Sequence, residues 1–121
     1  MKGITYFSNN SDKRNHKRAY VNMLVNYSDG QKIFTDYLKD ISMGGARVET
    51  LSPPQKGVIL TMTIPTDPPI KLNGKIKWVT KQKFKYIFGI EFDSLNYAQE
   101  SLITDFLTSL FWTNNDYLNN I

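Results

Sequence analysis

Ile70-Lys71-Leu72-Asn73-Gly74-Lys75-Ile76-Lys77-Trp78-Val79 sets Ile70, Leu72, Ile76 and Trp78 on one side of an extended chain and Lys71, Asn73, Lys75 and Lys77 on the other. A period of two is the mark of a β-strand with one dry and one wet face. The next run repeats it, with Phe84, Tyr86, Phe88, Ile90 and Phe92 on the inner side and Lys85 and Glu91 on the outer. The polar Lys81-Gln82-Lys83 lies between the two runs. Trp78 is therefore expected in the core rather than as a stacking platform. Lys71, Lys75 and Lys77 are expected to form the wet face of their strand.

Working upstream, Val58–Ile64 places Val58, Leu60, Met62 and Ile64 on one face, and Pro65, Pro68 and Pro69 make a stiff connection to the run just quoted. Ala46–Thr50 is a short strand, cut off from Val58 by Pro53, Pro54 and Gly57. Tyr20–Tyr27 carries Val21, Met23, Val25 and Tyr27 on one face, and Asp29-Gly30 after it reads as a tight hairpin with positive φ at both turn residues. Lys32–Leu38 alternates poorly, because Ile33, Phe34, Tyr37 and Leu38 put bulk on both faces; a bulge or a change of environment is expected there.

Downstream of Ser94 the period changes. Leu102, Ile103, Phe106, Leu107, Leu110 and Phe111 recur at three- and four-residue spacing, which predicts a helix with one broad apolar stripe. Asn96 followed by Gln99 reads as its N-cap, and Thr113-Asn114-Asn115 is expected to end it. Six antiparallel strands and one terminal helix predict a mainly β chain: a six-stranded antiparallel β-barrel, closed to remove its edges, with a C-terminal α-helix. The expected organisation is a flexible N-terminal arm over 1–13, the barrel with its helix over 14–112 and a tail over 113–121.

A length of 121 residues supports one domain with a core that needs no staple. Cysteine is absent and histidine occurs once, at His16, so disulfides, thiolate metal sites and a multi-histidine centre within one chain are excluded. No apolar run approaches the ~20 residues of a membrane helix, and no secretory leader is evident, so a cytoplasmic location is expected. The formal net charge of +4 favours anionic partners in general.

Two polar stretches stand outside the strand pattern. Lys13, Arg14, Lys17 and Arg18 crowd four cations into six positions, a run whose ordinary fate is a solvated basic arm. Asp40-Ile41-Ser42-Met43-Gly44-Gly45 is a turn sequence: Asp40 and Ser42 can cap backbone amides, and the glycines offer positive φ and close approach. That turn needs no ligand to account for it. Together the stretches supply two guanidinium forks, a carboxylate, a hydroxyl and permissive backbone. Arginine forks suit phosphate or the O6/N7 edge of guanine. On an extended arm Arg14 and Arg18 lie roughly 13 Å apart and reach two groups of one ligand, whereas on a tight turn they share one phosphate.

Arg14-x-x-x-Arg18 followed by Asp40-x-Ser42-x-x-Gly45 resembles the two-part motif of the PilZ domain, a bacterial receptor family for cyclic di-GMP. The resemblance runs on to Phe88-Gly89-Ile90-Glu91-Phe92, similar to the family's last strand. It implies the same six-stranded barrel. It further implies that Arg14 and Arg18 clamp guanine edges and phosphates, and that Asp40 and Ser42 read guanine from the barrel surface. Gly45, with Gly44 beside it, would admit the nucleotide close to the backbone. Lys13 and His16 rank second; His16 either stacks on a base or lies in solvent. The function implied is a receptor or adaptor, not an enzyme, whose arm orders on the ligand and which signals through an unidentified protein partner in motility or biofilm regulation. No cofactor beyond the ligand is implied.

Two other classes compete. A small barrel binding single-stranded nucleic acid fits the charge and the lysine stripe, but places its aromatics inside. A ligand-independent interaction module fits any barrel. An enzyme is disfavoured, since Asp40, Ser42 and His16 come with no nucleophile elbow, paired carboxylates or metal cluster.

Overall fold

Alternating apolar residues are buried on one face when the strands curl around a common interior. In the computed structural model, which describes residues 17–119 and the side chains of 17–112, they do so. The strands are β1 (Ala19–Ser28), β2 (Ile33–Ile41), β3 (Gly45–Thr50), β4 (Ile59–Ile64), β5 (Ile70–Gln82) and β6 (Lys85–Phe92), followed by helix α1 (Tyr97–Asn119). All pairings are antiparallel, and the order β1-β2-β3-β6-β5-β4 closes by pairing β1 with β4. Closure leaves no free sheet edge among these strands. Hairpins join neighbours except at residues 51–58, where the chain crosses from β3 to β4 through Pro53, Pro54 and Gly57, the last at φ +93°.

The interior is filled by the residues the alternation selects, among them Val25, Leu38, Val48, Met62, Ile64, Leu72, Phe88 and Ile90. Ile103 and Leu107 of α1 join this core, with Leu102, Phe106, Leu110 and Phe111 packed against it, so the predicted apolar stripe is the docking face. The capping box is complete: Gln99 N–H donates to Asn96 Oδ1 at 2.7 Å, and Asn96 N–H donates to Gln99 Oε1 at 3.0 Å. Gln99 Nε2 also donates to the Lys71 carbonyl at 2.8 Å, which ties the helix start to β5.

Four details differ from the sequence reading. The β1–β2 connection is four residues long, from Asp29 to Lys32, because Asp29 Oδ1 accepts from both Gln31 N–H and Lys32 N–H; only Gly30 takes positive φ. Trp78 is 41% exposed rather than buried. A β-bulge between Ile76 and Trp78 inserts Lys77 opposite β6 and reverses the parity, so that Val79 packs against the core instead. Phe84 lies at the β5–β6 turn, 87% exposed, one residue before β6 begins. Helix α1 continues past Thr113-Asn114-Asn115 to Asn119. Threonine and asparagine are only weak helix formers, and with no glycine or proline after them nothing stops propagation.

The uneven apolar pattern of Lys32–Leu38 is not caused by a bulge within it: burial alternates regularly there, with Phe34, Asp36 and Leu38 on the inner side. The bulge lies just beyond, between Leu38 and Asp40 in the pairing with β3, and a second irregularity lies between Tyr20 and Met23 on β1. Phe34 is half-buried, stacked on Tyr27 with ring centroids 5.1 Å apart, while Ile33 and Tyr37 face solvent.

Candidate functional site

The β2 bulge decides where Asp40 goes. One extra residue after Leu38 flips the parity of β2: Ile41 takes the inward place opposite Ala19 and Ala46, and Asp40 falls on the face of Tyr20 on β1 and Arg47 on β3, yet is only 1% exposed. A carboxylate this buried needs compensating charge. Arg47 Nε donates to Asp40 Oδ2, and Arg18 Nη1 lies 3.6 Å from Asp40 Oδ1. Asp40 Oδ1 itself accepts no hydrogen bond from the described residues. One buried carboxylate therefore holds two half-exposed guanidiniums at one end of the barrel.

The turn after β2 is built by Ser42, which is buried. Its N–H donates to the Gly45 carbonyl at 2.8 Å, and its Oγ accepts from Gly44 N–H at 3.2 Å. Phe92 N–H donates to the Gly44 carbonyl at 2.9 Å, joining the turn to the end of β6. Neither Gly44 nor Gly45 has positive φ, contrary to expectation. Gly45 is required for a different reason: a Cβ there would stand 2.2 Å from the Ile90 carbonyl oxygen. Its missing side chain lets β3 and β6 approach.

Around this turn lies an open cavity of about 270 Å³. Arg18, Ser42, Gly44 and Gly45, all singled out in the sequence, line it. So do Arg47, Lys77, Trp78 and Glu91, which were not singled out as site residues. Asp40 does not line it but stands behind Arg18 and Arg47. Lys13, Arg14 and His16 fall outside the described residues.

The missed residues have different causes. Trp78 reaches the cavity through the β5 bulge, which no periodicity shows, and joins Lys77, outward by the regular alternation. The indole then lies on Gly89, where a Cβ would stand 2.2 Å from Trp78 Nε1. Lys77 Nζ lies 3.2 Å from Glu91 Oε1 at the rim. Arg47 alternates with buried Ala46 and Val48 as any outward cation would; only the strand register sets it opposite Asp40. Lys71 and Lys75 remain on the wet face as expected. The lining thus offers three cations, one carboxylate, a hydroxyl and one large aromatic face. That set suits an anionic, planar ligand with hydrogen-bonding edges. Among the described residues no cluster of His, Cys, Asp and Glu is arranged to hold a metal, and no helix is long and apolar enough to cross a membrane.

The family model described as "PilZ domain" matches residues 12–109. Among solved structures, the PilZ domain of Escherichia coli YcgR with c-di-GMP superimposes with a TM-score of 0.79 at 12% identity, over 91% of this chain and 100% of that one. The Bacillus subtilis inhibitor of motility, MotI/DgrA, gives 0.68 at 14% identity over 81% of this chain and 50% of its own. Borreliella burgdorferi PlzA in complex with c-di-GMP gives 0.62 at 20% identity over 80% and 42%. The chain thus spans the whole of the isolated YcgR domain but half or less of MotI/DgrA and PlzA. At these identities the likeness concerns the fold, the six-stranded barrel with its terminal helix. No curated protein sequence matches the chain.

Proposed function

The chain belongs to the PilZ domain family, and on that premise we propose that it is a receptor for cyclic di-GMP that binds the dinucleotide at the cavity beside the Asp40–Gly45 turn. The observation that carries this is the convergence there of Arg18, Ser42, Gly44 and Gly45, parts of both halves of the family motif, around one open cavity. The YcgR domain and PlzA structures contain the same ligand.

Each group has a task in this reading. Arg18 supplies a guanidinium fork for phosphate or the guanine O6/N7 edge. Ser42 contributes its hydroxyl, and the bare Gly44-Gly45 backbone admits a flat base. Asp40 reads guanine only if an arginine yields it; otherwise it acts by holding Arg18 and Arg47. A cavity of about 270 Å³ is small for a nucleotide-sized ligand. Part of a dinucleotide would then rest above the rim, beside Arg18. That supports a role for Arg14, and secondarily Lys13 and His16, as a clamp over the exposed part. Ordering of residues 1–13 on the ligand would supply the signal, passed to a protein partner. The proposed setting is the cytoplasm, and the proposed output is motility or biofilm control, by analogy with the inhibitor of motility. Binding without turnover is proposed, since the lining holds no paired nucleophile and base.

Equilibrium dialysis against cyclic di-GMP, with GMP and cyclic di-AMP as comparators, tests the reading. Saturable retention of cyclic di-GMP alone is expected. No retention at about 100 µM ligand would refute it, since a receptor affinity lies well below that.

A further inference from the structure

Arg18 and Arg47 share Asp40 but are held differently. Arg18 precedes β1 and lies 3.6 Å from Asp40 Oδ1, beyond hydrogen-bond reach. Arg47 sits inside β3, with backbone paired to Asp40 on β2 and to Gly89 on β6. Its Nε–H is engaged by a carboxylate that is itself 1% exposed. A guanidinium has five N–H donors. Asp40 uses one, and the other four, on Nη1 and Nη2, have no acceptor among the described residues. They belong to a residue that lines the cavity. Arg47 is thus a fork fixed at its base, with its outer end unmatched among the described residues.

We propose that Arg47 is a fixed ligand contact, presenting its Nη donors to an acceptor edge of the nucleotide: phosphodiester oxygens, or guanine O6/N7. The inference rests on the receptor reading above. Its physical content is preorganisation. Arg18 must be drawn into place when the ligand arrives, whereas the orientation of Arg47 is already set by Asp40, so its contact costs little ordering entropy. Asp40 is then a positioning residue for Arg47. Engagement of Nε excludes the side-on bidentate geometry and leaves the end-on geometry, which both kinds of acceptor accept.

The test titrates cyclic di-GMP into wild type, Arg47→Ala, Arg47→Lys and Lys32→Ala, at two salt concentrations, with melting temperatures alongside. Lys32 lies in the β1–β2 turn, outside the cavity lining, and its loss removes the same charge. Arg47→Ala is expected to weaken binding by about tenfold or more, the effect of a lost charge-assisted hydrogen bond. Arg47→Lys should recover part of the loss, and Lys32→Ala should bind as wild type does. A contact to phosphate would lower the salt dependence in Arg47→Ala. A contact to guanine would keep the salt dependence and reduce the preference over cyclic di-AMP. Either pattern supports the proposal. Wild-type binding with Arg47→Ala within about twofold of it overturns the proposal alone. Should Arg47→Ala fail to fold, Arg47→Lys decides: weakened binding in a folded protein supports the contact, and unchanged affinity overturns it. Absence of wild-type binding removes the receptor reading and this inference together.

Discussion

Asp40 shows how one side chain can organise a site without lining it. Its carboxylate draws together an arginine from before β1 and another from β3, residues 29 positions apart in sequence. Asp40→Ala removes both attractions and leaves two like charges adjacent. Because both guanidiniums reach solvent, the expected cost is about 1–2 kcal/mol, below the 3–5 kcal/mol of a fully buried pair. Urea titration of the variant checks it. Gly45→Ala is expected to cost about 1–3 kcal/mol, since its Cβ would meet a backbone carbonyl that cannot swing aside. A variant as stable as wild type would show that β6 can retreat. At this scale the sequence showed which residue types matter at Asp40–Gly45 but not their geometry. Ser42 caps its own turn as anticipated, whereas the glycines serve close approach rather than positive φ. Arg47 and Trp78 were not legible as site residues, because register and a bulge decide where they point, and neither leaves a mark in apolar spacing.

At the level of elements, strand and helix identities followed from periodicity, while their ends followed local hydrogen bonds. The start of α1 was legible because Asn96 and Gln99 form a complete capping box. Asn96→Ala should cost about 1 kcal/mol, measurable as a lowered unfolding midpoint. The end of α1 was not legible, as weak helix formers delay a stop less visibly than glycine or proline impose one. The β1–β2 turn makes its own prediction about pH. Backbone N–H groups of Lys32 and then Gln31 hold the Asp29 carboxyl below its ordinary value of 3.8. A depressed folded value means the stabilisation is present above the unfolded value and is lost as pH falls through the folded one. The stability difference between wild type and Asp29→Asn should therefore shrink on acidification below about pH 4, the range of the ordinary aspartate value. A difference independent of pH would show that the turn does not depend on the charge.

For the molecule as a whole, closure of the barrel makes a rigid frame, and both bulges nearest the cavity lie on strands that frame it. The fold was legible because clean alternation in β5 and β6 leaves few architectures for six short strands and one helix. The site was legible in part, through the paired motif, and the remainder depends on which strands become neighbours. If the cavity binds only the folded state, ligand at 100 times its dissociation constant adds about 2.7 kcal/mol of stability, seen as a melting temperature raised by several degrees. Arg18→Ala should reduce the binding free energy by about 1.5–3 kcal/mol with little change in the melting temperature of the free protein. The most direct measurement is calorimetric titration of cyclic di-GMP into wild type and into the Arg14→Ala/Arg18→Ala double variant. The account predicts saturable heat for wild type and none for a variant that remains folded. Wild-type protein that gives neither heat nor a thermal shift would contradict it.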